Sequence, residues 1–252
     1  MLTVGRTMAR VFQVAVGVAV IAWGISGIAR DWSDAALEHM YQAIIAGDNF
    51  RADVVAPLSP MLDTLERVAD CDNIANEAAT AVRLVLTDQA FSEPAPSVLE
   101  QRLTALDRSA RRSLACAPSQ PFQWLVLFWV ENIRDGFNTN RLDLLRMSYR
   151  TGPQEAWIAL KRNWLAFALF RSLPPDLAEA TLNEFVGLID AGFYDYAADV
   201  LTGPARPVQE FVTDHLEHLD GRQRDRLAKL LYARGSNINV PGVTRRQARP
   251  WQ

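Results

Sequence analysis

The run VFQVAVGVAVIAWGISGIA, Val11–Ala29, contains no charged residue and limits the fold more than any other feature of the chain. Its 19 residues approach the ~20 that a membrane-spanning helix needs. Arg6 and Arg10 precede the run, and Asp31, Asp34 and Glu38 follow soon after Arg30. Basic flanks favour the cytoplasmic side, so this asymmetry points the N-terminus inward and the rest of the chain outward. The expectation is a single-pass bacterial inner-membrane protein. Residues 1–10 are cytoplasmic, 11–29 span the membrane, 30–235 form a periplasmic helical domain and 236–252 are a flexible tail. A cleaved signal peptide is the competing reading. It fits less well, because the run exceeds the usual apolar core of roughly 7–15 residues and Gly27-Ile28-Ala29 is a poor cleavage site.

Within the run, Ala15, Ala19, Ala22, Ser26 and Ala29 form a stripe of small residues at alternating steps of four and three. In lipid such a stripe lets a second helix approach closely, so a neighbouring membrane protein is an expected partner.

Beyond Ser33 the chain reads as all-α. Apolar residues recur at helical spacing, and breaks fall at Gly and Pro. Pro60, Pro96, Pro121, Pro153 and Pro175 lie where helices are expected to open, a position that tolerates a missing N–H. Short connections between helices of roughly 10–20 residues predict antiparallel hairpins stacked side by side. The stretch LIDAGFYDYAADVL places Gly192, Tyr194 and Ala197 in the order Gly-x-Tyr-x-x-Ala. This resembles the inter-helix turn of a tetratricopeptide repeat. DGFNTNRLDLL and AGDNFRADVV are weaker echoes, and no clean repeat of about 34 residues recurs. The resemblance implies a degenerate helical-repeat array, against the plainer alternative of an irregular bundle. The region from Gly152 to Leu201 also resembles single-span exported proteins of alphaproteobacterial exopolysaccharide gene clusters. That likeness implies a context of polysaccharide synthesis or export and assigns no residue a role.

A second apolar stretch, GPQEAWIALKRNWLAFALF, carries Lys161, Arg162 and Asn163 at its centre. A central Lys or Arg costs about 2.5–3.5 kcal/mol on insertion. The uninterrupted arm WLAFALF covers only ~10 Å. The stretch is therefore expected to be a buried helix, with Glu155, Asp143 or Asp190 as partners for its charges. The alternative is a groove in which Trp157, Lys161, Arg162 and Asn163 bind an anionic group. Trp124, Trp129, Trp157 and Trp164 then offer a sugar-stacking face, with an anionic glycan as ligand.

Chemistry is sparse. The net charge of −3 gives no field that recruits nucleic acid. The 24 arginines and two lysines are scattered among 29 carboxylates. No phosphate-cradling glycine loop and no nucleophile elbow is present. His215 and His218 share a face at i, i+3, but a metal needs further ligands that no motif supplies. No cofactor, metal or catalytic residue is therefore expected. Outside the cytoplasm Cys71 and Cys116 are a disulfide candidate, with a loop-entropy contribution of ~4 kcal/mol. The expected function is a non-enzymatic scaffold or adaptor for envelope assembly, holding other envelope proteins through its helical groove. A glycan-binding or glycan-processing protein is the alternative.

Overall fold

The computed structural model describes residues 12–23, 37–48, 50–67, 71–92 and 95–243. Every regular element among them is helical. The chain divides into two compact units, 1–116 and 117–252.

The first unit corrects the membrane reading. Among the described residues, no helix is long and apolar enough to cross a membrane. Of the uncharged run, residues 12–23 are described, and they form one helix. The single-pass inner-membrane placement rested on that span and falls with it. Ala15, Ala19 and Ala22 lie exposed on this segment, whereas Ser26 and Ala29 lie outside the described residues.

The rest of the first unit comprises α1 (residues 37–46), the single turn α2 (Ala52–Val55), α3 (Ser59–Arg67), α4 (Asn73–Ala90) and α5 (Pro96–Cys116). Asp72 caps α4 by accepting from the backbone N–H groups of Ile74 and Ala75, which satisfies donors that a helix start leaves free. α4 and α5 pack as a hairpin. Their interface is lined by Ala78, Ala81, Val82, Leu106 and Ala110, all at most 0% exposed, and a buried Thr80–Ser109 hydroxyl pair bridges it. Cys71 and Cys116 are joined by a disulfide, with Cα atoms 5.3 Å apart.

The described residues of the second unit form three helical pairs. α6 (Pro121–Asp135) packs on α7 (Leu142–Thr151), α8 (Ala156–Ala168) on α9 (Pro175–Asp190), and α10 (Tyr194–Thr202) on α12 (Gly221–Ala233). The short α11 (Gln209–Asp214) and flanking 3₁₀ turns lie inside the third pair. The first members form one row, since α8 packs against both α6 and α10. The second members form another. Arg146 of α7 pairs with Asp176 of α9 at 2.7 Å, and Gln223 of α12 donates to Asp190 of α9.

Helix α8 begins at Ala156, and Pro153 lies in the preceding turn. At Gly192 the backbone is left-handed, φ +92°, between α9 and α10. Ala197 is fully buried beyond it. Residues 236–243 run without helix, and Val240 is 3% exposed in a core shared with Leu227 and Leu231. Arg224 fixes this stretch by donating to the Pro241 carbonyl.

Gly152 sets the closeness of the α6–α7 pair. A Cβ there would lie 2.4 Å from Cγ and 2.6 Å from Cβ of Pro121. Both are rigid ring atoms at the start of α6, so the two helix ends would have to separate. Gly152→Ala is expected to cost about 1–3 kcal/mol, as overpacking does. A thermal melt that matches the parent chain would refute this.

Candidate functional site

Helix α8 has two faces with different chemistry. Ile158, Ala159, Ala166 and Phe167 are buried, and so are Arg162 and Asn163, both 0% exposed. The opposite edge carries Trp157, Leu160, Lys161 and Trp164.

A guanidinium has five N–H donors and no acceptor. In Arg162 all five are used. Nε donates to Glu184 Oε1 at 3.0 Å. One Nη1 proton goes to the Ser148 carbonyl at 2.6 Å and the other to Ser148 Oγ at 3.1 Å. Nη2 donates to the Gly152 carbonyl at 2.9 Å and to Glu184 Oε1. The planar group also lies over the Tyr149 ring, 4.3 Å from its centroid, a favourable cation–π position.

Arg162 thus sits at the C-terminal end of α7, where its charge complements the helix dipole and the last carbonyls. It ties that end to α9 through Glu184. Ser148 donates its hydroxyl to the Pro121 carbonyl at 2.9 Å, which brings α6 into the same cluster. Four helices therefore meet at one side chain. Asn163 adds a bond from its amide nitrogen to the Thr181 carbonyl at 2.9 Å.

Proton positions follow from the acceptors available. Thr181 gives its hydroxyl proton to Leu177 O, so at their 3.1 Å contact Tyr149 is the donor to Thr181. Tyr196 donates to Leu160 O at 2.6 Å. Burial, with the nearby Glu184 charge, pushes both phenols far above their ordinary range and keeps them protonated. Burial likewise pushes the Glu184 carboxyl above the usual carboxylate range. The Arg162 bonds and charge, then Asn163 and Tyr149, pull the other way without cancelling it.

Sequence reasoning named Glu155, Asp143 and Asp190 as partners, whereas the partner is Glu184. Glu155 is exposed at the N-cap of α8, Asp143 pairs with Arg146, and Asp190 accepts from Gln223. The signal for Glu184 lay in its position. It interrupts the buried stripe Leu177, Thr181, Phe185 and Leu188 on α9, where an unpaired carboxylate is not tolerated.

With every donor engaged, Arg162 has no N–H left for a ligand. Lys161 is different: it is exposed, and no carboxylate pairs with it among the described residues. Trp157, Lys161 and Trp164 stand at i, i+4 and i+7, which places them along one face. Trp157 is half-buried, with its ring 4.8 Å from that of Phe122. Trp164 is 44% exposed, and its ring edge lies against Gly203 at the end of α10. Trp124 and Trp129 on α6 are half-buried, and the Trp124 indole donates to Pro118 O. His215 sits in a 3₁₀ turn, its Nδ1 2.8 Å from Phe211 O. No group of three or more His, Cys, Asp or Glu able to hold a metal occurs among the described residues.

No protein-family model matches the chain, and neither a curated protein nor a solved structure is similar to it.

Proposed function

We propose that the chain is a non-catalytic helical scaffold that holds a polypeptide segment on the outward face of the α6–α8–α10 row. The carrying observation is the build of α8. Its inner face is locked by the saturated Arg162 cluster, while its outer face presents Trp157, Lys161 and Trp164. Large aromatic side chains on a rigid support provide contact area at low entropic cost, as binding surfaces require. The hairpin turn at Gly192, Tyr194 and Ala197 is consistent with a degenerate repeat array, a build in which successive helical pairs extend one continuous surface. Crosslinking from a photoreactive residue at position 168, exposed on the same edge, should capture a specific polypeptide in cells that make this protein. Recovery of none after efficient crosslinking would overturn the scaffold reading.

Glycan binding is the second reading. It draws on the same rings, since none of Trp124, Trp129, Trp157 and Trp164 is fully buried. Indole fluorescence titrated with neutral and uronic-acid oligosaccharides tests it, and a flat titration removes it.

A further inference from the structure

We infer that the α8 edge recognises an acidic amphipathic segment, one that sets a carboxylate between two apolar residues. The inference rests on the scaffold reading and specifies the partner's chemistry. Along α8, Trp157 and Trp164 are separated by about 10 Å of helix rise, with the Lys161 ammonium between them. The carboxylates closest in sequence on the neighbouring α10 are already committed: Asp195 and Asp199 both pair with Arg234. Among the described residues no carboxylate pairs with Lys161, so its ammonium can take an anion that a partner brings.

Apart from Lys161, the outward positions of α8 between 157 and 168 carry no charged, amide or hydroxyl side chain. Leu160 and Ala168 flank the three residues. The Tyr196 hydroxyl is spent on Leu160 O, and the Trp124 N–H on Pro118 O. A glycan presents many hydroxyls, and each left unmatched on contact is a cost. A segment with two apolar anchors and one carboxylate needs what this edge has: two indole rings, one exposed and one half-buried, and one cation. Against a helix, those anchors stand about seven residues apart, with the acid between them.

The test is selection of a random peptide display library on the full-length chain, on Lys161→Glu and on Lys161→Arg. Position 161 is exposed, so these variants keep the fold, and a melt verifies this. Peptides enriched on the parent chain should carry an acid flanked by apolar residues. They should bind Lys161→Glu at least about tenfold more weakly and Lys161→Arg nearly as well as the parent. Lys161→Glu should instead enrich a base at the central position. Enriched peptides that lack the acid, or that bind Lys161→Glu unchanged, overturn the inference. So does failure to enrich any peptide, or displacement of the selected peptides by oligouronate. A crosslinked partner whose contact segment has no carboxylate would leave the scaffold reading standing and remove this one alone.

Discussion

Arg162→Met should lower the melting temperature of the second unit by roughly 10–20 °C, because breaking a buried ion pair costs about 3–5 kcal/mol. Methionine keeps most of the volume, so the loss is chiefly electrostatic. It leaves Glu184 buried with no cation beside it and removes the donor to the Gly152 carbonyl. The cost should also depend on pH, and its sign follows from linkage. The folded carboxyl holds its proton more tightly than the unfolded one, and without Arg162 it holds it tighter still. Between the unfolded and folded pKa values the native state binds more protons, so stability falls as pH rises through that window. The variant's deficit should therefore be larger at pH 8 than at pH 5, where Glu184 escapes the penalty by protonation.

Arg162→Met with Glu184→Leu should recover about half of the loss, because an apolar pair can replace a buried ion pair at little cost. Recovery is incomplete because the Gly152 carbonyl still lacks its donor. Calorimetry of the full chain across this pH range decides the matter. A single variant that melts within a few degrees of the parent at pH 8 would show that the cluster does not hold the hairpins together.

The helices were legible because their signals are local. Pro96, Pro121 and Pro175 open α5, α6 and α9, and Gly136 and Gly192 follow the ends of α6 and α9. Each is read from a few neighbouring residues. The burial of the Lys161–Asn163 triplet was only half legible. At a helical period, 162 and 163 point one way and 161 another, but which side is the core depends on α7 and α9. The partner Glu184 lies 22 residues away, and nothing local distinguishes it from the exposed carboxylates around it except the apolar stripe it interrupts. The membrane reading rested on an uncharged run alone, and among the described residues no helix is long and apolar enough to cross a membrane. The docking of Val240 was hidden by composition, since a polar stretch with one buried valine has no period to read.

Loss of the Cys71–Cys116 bond is the second large effect expected. The bond joins the residue before the α4 cap to the last residue of α5. These two helices are already connected at their other ends, where five residues separate Ala90 from Pro96. The disulfide therefore closes the hairpin into a covalent ring spanning 45 positions, for which the loop-entropy relation gives ~4 kcal/mol. The first unit depends on this more than its helix content suggests. Much of the α4–α5 interface is alanine, serine and threonine, and small side chains bury little apolar area per residue. Cys71→Ser with Cys116→Ser should lower the melting temperature of the first unit by roughly 10–20 °C. A reductant should do the same to the parent chain and nothing further to the double variant, because both act on one bond. Cys71 is exposed, so reduction does not require prior unfolding. An unchanged melt on full reduction, verified by titration of two free thiols, would mean that helix packing alone holds the hairpin closed.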